Sequence, residues 1–173
     1  MKEMLESLFV KNFSKDTLVS FIKNDSKKIE EAYKIALTNN QPQAWRAAWI
    51  LNHVIKNNDE SFIIKVDPIL KVLLDCKDGH QREWLKVLEK LKLLENQKSE
   101  LFDICIEIWS DIFKRPGTRI TAFRFLVKLV KKYPELKNEI VPLTQSHFTN
   151  SLSPGIKNSF KEFEQQLKIN GLV

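Results

Sequence analysis

The sequence contains few of the residues that break helices or form covalent cross-links. Its 173 residues include only four glycines, six prolines and two cysteines. No Gly-rich or Ser-rich linker and no change of composition divides the chain, which favours one domain spanning residues 1–173. Cys76 and Cys105 lie within apolar helical patterns, where a reduced cysteine behaves as a small hydrophobic residue. This favours a reducing, cytoplasmic location over a disulfide-rich secreted one.

Long apolar runs are also missing. The longest are a few residues, whereas a transmembrane helix needs about 20. The only apolar stretch of residues 1–16 carries charges at Lys2, Glu3 and Glu6, which is untypical of a secretion signal. We therefore expect neither a membrane span nor export.

Motifs of catalysis and metal binding do not occur in the sequence. His53, His80 and His147 lie far apart, and no HExxH or CxxC pattern brings metal ligands together. The phosphate-binding loops GxxxxGK[ST] and GxGxxG and the GxSxG elbow are absent as well. Cys76, Asp78 and His80 are close in sequence, but we interpret them as a polar turn. We expect no enzyme activity, cofactor, metal or small-molecule substrate.

Apolar residues recur instead with a period of about 3.6 along the whole chain, which predicts an all-α protein. Breakers and capping residues mark the segment boundaries. Ser14 and Ser26 are predicted N-caps, and Asp67-Pro68 is predicted to cap and open a further segment. The predicted helical segments are 3–11, 15–23, 27–38, 42–57, 60–75, 80–94, 98–114, 117–132, 135–149 and 155–169.

The helix breakers are regularly spaced. Four of them open apolar helices at intervals of 37, 37 and 38 residues: Pro42, Gly79, Pro116 and Pro154. Basic residues follow at intervals of 36, 37 and 38 residues: Arg46, Arg82, Arg119 and Lys157. A repeat of this length is typical of helical solenoids.

Each helix of a repeat carries one apolar stripe, which only a neighbouring helix can cover. After Pro42 the stripe consists of Ala44, Ala47, Ala48, Leu51, Val54 and Ile55. After Gly79 it consists of Trp84, Val87, Leu88, Leu91 and Leu94. We predict an α-α superhelix of about five stacked helical hairpins, with residues 1–26 as an N-terminal capping hairpin.

Residues 67–91, DPILKVLLDCKDGHQREWLKVLEKL, resemble a HEAT repeat. They contain the Pro-Ile-Leu start, the Leu-Leu-Asp before the turn, and an arginine followed by spaced leucines. The resemblance extends loosely over residues 27–170 and implies a solenoid of the HEAT or armadillo type. Since such solenoids bind many kinds of partner, the resemblance predicts architecture rather than function.

The combination of tryptophans and basic residues is also similar to that of the HEAT-like alkylpurine DNA glycosylases. Trp109 with Asp111, and Trp45 with Arg46, carry this similarity. We assign no catalytic role to any of them.

The recurring Arg46, Arg82 and Arg119 have two interpretations. They form a basic ladder along the inner groove of the solenoid, or, as the resemblance to HEAT repeats implies, they pair with upstream aspartates such as Asp75 and Asp111 or cap the turns. The second, structural interpretation is favoured.

Trp45 and Trp49 lie one helical turn apart, beside the core stripe rather than within it. They either pack on the adjacent hairpin, which we favour, or anchor a bound peptide or base. Trp84 and Trp109 belong to core stripes.

The net charge of +6 is concentrated near the C-terminal end, where residues 115–173 carry 10 basic and 4 acidic groups. Arg124, Lys128 and Lys131 occupy one helix face, opposite Phe123 and Leu126. This face is either a solvated surface, which we favour, or a site of phosphate contacts.

Taken together, these features predict a non-catalytic scaffold that binds a protein or peptide through its groove, without a membrane partner. The first candidate contact residues are Trp45, Trp49, Arg82 and Arg119. The alternative is a nucleic-acid-binding solenoid that uses Arg119, Arg124, Lys128 and Lys131 on phosphates. A glycosylase-like enzyme of DNA repair is the third hypothesis.

Overall fold

The computed structural model describes residues 2–11 and 13–169, and helices form all the regular secondary structure of that part of the chain. Residues 1, 12 and 170–173 of the predicted domain lie outside the described residues. The α-helices are α1 (Lys2–Val10), α2 (Lys15–Ile22), α3 (Ser26–Ala36), α4 (Gln43–Val54), α5 (Val66–Leu73), α6 (Asp78–Lys90), α7 (Glu95–Ser110), α8 (Pro116–Lys132), α9 (Lys137–Ile140), α10 (Ser146–Thr149) and α11 (Pro154–Ile169). Short 3₁₀ helices lie at Glu60–Lys65, Pro134–Leu136 and Val141–Thr144. The predicted all-α class is confirmed.

The regularly spaced breakers all lie at the starts of helices. Pro42 directly precedes α4, Gly79 is the second residue of α6, and Pro116 and Pro154 open α8 and α11. Proline suits a first turn because the N–H groups of that turn have no partner within the helix. The repeat in the sequence is therefore a repeat of the second helix of each hairpin.

The chain forms two compact units, Met1–Gln97 and Lys98–Val173. In the first unit the helices form two rows: α4 packs on α2 and α6 in one row, and α1 packs on α3 in the other. Across the rows, α3 packs on α4 and α5 packs on α6. The side chains of Ala44, Ala47 and Ala48 are fully buried, and their small size lets α4 approach its neighbours closely.

The second unit is built around Trp109. The Trp109 ring lies 4.4 Å from that of Phe123 on α8 and is stacked on that of Phe160 on α11, with 5.5 Å between centroids. Its Nε1–H donates to the carbonyl of Leu143 at 2.9 Å. A single side chain thus joins α7 to α8, α11 and the 3₁₀ helix at Val141–Thr144.

Two helix starts differ from the predicted ones. The N-cap of α3 is Asp25, whose side chain accepts the N–H groups of Lys27 and Lys28, so Ser26 is the first helical residue and not the cap. α5 begins at Val66, before Asp67-Pro68, because the 3₁₀ helix Glu60–Lys65 leads directly into it. The predicted segment 60–75 is therefore two helices of different type.

The predicted segment 135–149 is also divided. Pro142 lacks an N–H and cannot continue an α-helical ladder, and the Thr144 hydroxyl donates to the carbonyl of Val141 at 2.8 Å. Two four-residue α-helices, α9 and α10, flank a 3₁₀ turn there. Leu94, predicted to lie in the core, is 53 % exposed because α6 ends at Lys90.

Candidate binding surface

In the first unit, α4 and α6 lie side by side and present neighbouring stripes to solvent. On α4 the stripe contains Trp49, which is half-buried, and His53, which is exposed. On α6 it contains Arg82 and Lys86, whose side chains are 40 % and 34 % exposed. On each helix the two residues lie one helical turn apart. We call the four residues together the α4–α6 face.

Trp49 and His53 form an ordered aromatic pair. Their ring centroids lie 5.2 Å apart in an edge-to-face arrangement. The His53 Nδ1–H also donates to the carbonyl of Trp49 at 2.8 Å. Because this contact restricts both rings, a ligand that binds them loses less side-chain entropy than it would on mobile side chains.

Trp45 lies toward the other end of α4 and packs on α6. A Cβ atom added to Gly79 would lie 3.4 Å from the Trp45 Nε1 atom and 3.5 Å from its Cδ1 atom. The indole therefore packs directly against the first turn of α6. The side chain thus lies against the adjacent hairpin, while its part in binding a partner stays a prediction.

Glu83 is a buried carboxylate beneath the α4–α6 face, with only 1 % of its side chain exposed. Its Oε1 atom accepts from Arg82 Nη2 at 3.2 Å and from Lys86 Nζ at 3.0 Å. Its Oε2 atom accepts from Asn52 Nδ2 on α4 at 3.1 Å. One buried anion thus fixes two cations of α6 and joins α6 to α4.

The far end of the two helices is joined by Lys90. Its Nζ donates to the carbonyls of Asn52 and Ile55 at the C-terminal end of α4. The Lys90 carbonyl in turn accepts the N–H of Asn58 at 2.8 Å. Burial lowers the pKa of Lys90, since desolvation disfavours its charged form.

Arg46, Arg82 and Arg119 occupy the same position of the repeat but make different contacts. Arg46 donates to the carbonyls of Lys11 at 2.9 Å and Phe13 at 3.4 Å, in the turn between α1 and α2. Arg82 pairs with Glu83, and so the predicted pairing with Asp75 is replaced by one with its neighbour in sequence.

Arg119 is fully buried. It donates to the carbonyls of Trp109 at 2.9 Å and Phe148 at 2.6 Å and to the Ser151 hydroxyl at 2.9 Å. Burial lowers the pKa of Arg119, and the negative charge of Asp111 partly opposes this effect. The Asp111 carboxylate also accepts the N–H of Phe113. The predicted role of Arg119 as a contact residue is not supported, because its side chain does not reach the surface.

The predicted basic face of α8 lies in the second unit. Arg124 is half-buried and Lys128 and Lys131 are exposed, on successive turns of one side of the helix. Lys131 Nζ donates to Gln166 Oε1 on α11 at 2.6 Å. The structure thus brings these three cations onto one stripe, in a different unit from the α4–α6 face.

The sequence pattern alone did not indicate Lys86, His53 or the role of Glu83. Glu83 follows Arg82 directly and faces α4, as a residue at the edge of the apolar stripe of α6 would. A carboxylate at such an edge position, next to Arg82 and three residues before Lys86, is a signal that a sequence can show.

Phe113 is the most exposed large apolar side chain in the described part, at 93 %. It lies in the turn between α7 and α8, where its N–H donates to Asp111 Oδ1 at 3.0 Å. A single exposed aromatic residue is common on protein surfaces and does not by itself make a binding patch.

Metal-binding groups of three or more His, Cys, Asp or Glu residues are absent from the described residues. Within the same part of the chain, no helix has both the length and the apolar character that a membrane span requires.

Comparison with known proteins agrees with the helical repeat. The family model of the HEAT repeat domain matches residues 1–167. No curated protein and no solved structure matches the chain. The family match covers nearly the whole chain, including both units, and the regular helix starts at Pro42, Gly79, Pro116 and Pro154 are consistent with it. The chain belongs to the HEAT repeat family.

Proposed function

We propose that this protein is a non-catalytic scaffold that binds a protein or peptide through the α4–α6 face. HEAT repeats commonly mediate protein interactions and are generally not enzymes. The observation that supports this face is the juxtaposition of an ordered Trp49–His53 pair on α4 with Arg82 and Lys86 on the adjoining helix. Tryptophan and arginine are the residues most enriched among those that dominate binding energy.

The proposed mechanism relies on a surface that is ordered before the partner arrives. α4 and α6 are joined at three levels, by Trp45 on Gly79, by Asn52 on Glu83 and by Lys90 on the end of α4. A rigid surface reduces the entropy lost on association, while its cations orient an approaching partner. Trp49 and Arg82 remain contact residues in this proposal, and Trp45 contributes by packing α4 against the first turn of α6.

Site-specific photo-crosslinking tests the proposal in cells that express the protein. Benzoylphenylalanine replaces His53, which is exposed on α4, or Lys71, which is exposed on α5 in the other row. We expect a discrete protein adduct from position 53 that disappears when Trp49→Ala is added, and no such adduct from position 71. Equal adducts from both positions would show that the α4–α6 face is not the binding surface.

Nucleic-acid binding through α8 is the second candidate, because Arg124, Lys128 and Lys131 lie on one stripe. Fluorescence anisotropy with a labelled DNA duplex at low and moderate salt tests it. Binding that falls steeply with salt, and that the triple alanine variant of these residues weakens, would place nucleic acid first. The protein-binding proposal expects no binding even at low salt.

A further inference from the structure

Two cations of the α4–α6 face share one buried carboxylate. Arg82 donates to Glu83 Oε1 and Lys86 donates to both Glu83 oxygens, while Oε2 also accepts from the Asn52 amide. A carboxylate needs only one cation for charge neutrality, and so this cluster carries a net charge of about +1 at a partly exposed position. The negative charge is buried, while both positive charges reach the surface.

The two cations also have more N–H donors than the two Glu83 oxygens engage. A guanidinium has five N–H donors, and Arg82 uses Nε and Nη2 on Glu83. The Lys86 ammonium has three N–H donors, and Glu83 accepts from it. We propose that Arg82 and Lys86 form a subsite for one carboxylate group of an acidic protein segment, with Glu83 as the residue that positions them. This inference rests on the proposed function of the α4–α6 face.

A carboxylate fits this subsite better than a phosphate. One carboxylate neutralises the cluster, because the net charge of Arg82, Lys86 and Glu83 is a single positive charge. A phosphate dianion would overcompensate it and leave a net negative charge on the complex. The adjacent Trp49 and His53 provide apolar contact for the rest of the segment.

Replacement of Glu83 distinguishes a positioning role of this residue from simple charge attraction between the face and an acidic peptide. Glu83→Gln makes the face more positive, and charge alone would then strengthen binding of an acidic peptide. Without the carboxylate, however, Arg82 and Lys86 repel each other and lose the group that holds them together. The proposal therefore expects Glu83→Gln to weaken binding despite the added positive charge.

Binding of a fluorescein-labelled oligoglutamate peptide with a central leucine, followed by anisotropy, provides the test. We expect Arg82→Ala/Lys86→Ala, and separately Glu83→Gln, to weaken binding about fivefold or more, which corresponds to about 1 kcal/mol. Lys34→Ala/Lys71→Ala removes the same charge from exposed positions of α3 and α5 and should change the affinity less than about twofold. Thermal unfolding of each variant establishes whether it folds. If Glu83→Gln does not fold, the affinity of the Arg82→Ala/Lys86→Ala variant tests the proposal.

Three outcomes would overturn the carboxylate subsite: no binding of the oligoglutamate peptide, equal losses in the control variant, or tighter binding of a matched phosphoserine peptide. An otherwise identical glutamine peptide should not bind. If the subsite fails while crosslinking from position 53 still gives a discrete adduct, the proposed function stands with a different partner chemistry. If both fail, the α4–α6 face is not a binding surface.

Discussion

Arg119 shows at the scale of one residue how a cation can serve the interior of a helical repeat. Its guanidinium lies 4.8 Å from the Trp109 ring centre and donates to two carbonyls and a hydroxyl. Those acceptors come from the end of α7 and from the α10 region, where helices leave carbonyls without intrahelical partners. The planar guanidinium reaches acceptors from two helices and a following turn with donors in a fixed fork, a geometry that a lysine ammonium does not reproduce.

Replacement of Arg119 by alanine should therefore destabilise the protein strongly. Loss of hydrogen bonds from a charged group, with buried carbonyls left unpaired, predicts a decrease of roughly 3 kcal/mol in the free energy of unfolding. Arg119→Lys should recover little of this loss. Urea denaturation measures the effect, with Lys34→Ala at an exposed position of α3 as a control that should change stability by less than about 0.5 kcal/mol. Similar effects of the two alanine substitutions would contradict the structural role.

His80 is the second residue whose environment predicts a measurable effect. It is 1 % exposed, its Nδ1 accepts from the Gln41 amide at 3.2 Å, and burial lowers its pKa from 6.5 to about 4, partly opposed by the Ala36 carbonyl. Because the unfolded chain binds a proton near pH 6.5 and the folded protein only near pH 4, protons favour unfolding between these values. The stability due to neutral His80 is complete above about pH 7 and is lost as the pH falls.

Chemical denaturation at pH 7 and at pH 4 tests this dependence. Between pH 7 and pH 4 the free energy of unfolding should fall by about 3 kcal/mol more for the wild type than for His80→Gln. Each unit of pKa shift corresponds to about 1.4 kcal/mol. Ser20→Ala, at an exposed position of α2 and without an ionisable side chain, should lose as much stability between the two pH values as the wild type does. Parallel stability curves for wild type and His80→Gln would show that this histidine does not titrate between the two states as described.

At this scale the sequence allows only part of the site to be predicted. Trp84 and Trp109 could be placed in the core because they fall within apolar stripes, and both are fully buried. Arg82 and Arg119 could not be told apart, because both follow a turn at the same repeat position. What separates them is the tertiary environment: a carboxylate beside Arg82, and uncapped carbonyls around Arg119.

At the scale of the helix, side-chain caps determine where several elements begin. The Ser14 hydroxyl accepts the N–H of Thr17 at 3.2 Å and caps α2, as the sequence predicted. Serine is favoured there because it satisfies a backbone donor that has no partner within the helix.

The cap of α2 offers a comparison of one substitution at two positions. Ser14→Ala should lower the free energy of unfolding by about 1 kcal/mol, because the first turn loses its acceptor. Ser20→Ala, at an exposed position within the same helix, should raise it by a few tenths of a kcal/mol, since alanine has the higher helix propensity. Urea denaturation of both variants measures the difference, and effects of the same sign would contradict the assigned cap.

Helix boundaries were harder to predict than helix existence. The regular starts at Pro42, Pro116 and Pro154 follow from local chemistry, which a sequence shows directly. The division of residues 135–149 depends on how Pro142 and Thr144 redirect the backbone, and a periodic apolar pattern does not reveal that. Asp25 was missed as a cap because the adjacent Ser26 is an equally good capping residue in sequence terms.

At the scale of the whole molecule, each compact unit contains one cysteine. Cys76 in the first unit is 5 % exposed and Cys105 in the second is 0 % exposed, and neither forms a disulfide. The solenoid class was predictable because repeat spacing is a global property of the sequence. The boundary between the units was not, because it falls within the first turn of α7 and has no linker composition. The prediction of a single domain stays a prediction.

The two thiols report on unfolding of their own units. In native buffer we expect both Cys76→Ser and Cys105→Ser variants to react with a thiol reagent at least about a hundredfold more slowly than in denaturant, because buried thiols react through opening of the structure. Reaction rates over a series of urea concentrations measure the opening of each unit separately. Fast reaction of either variant in native buffer would contradict the burial of that cysteine.

The double role of Lys90 has a consequence for amide hydrogen exchange. Its side chain holds the last carbonyls of α4, and its own carbonyl holds the N–H of Asn58, which follows α4. Fraying of the last turn of α6 therefore removes the partners of the last turn of α4, and the two turns should open as one cooperative unit. Lys90→Met would then raise exchange rates at the ends of both helices together, while amides in the middle of α4 keep their protection.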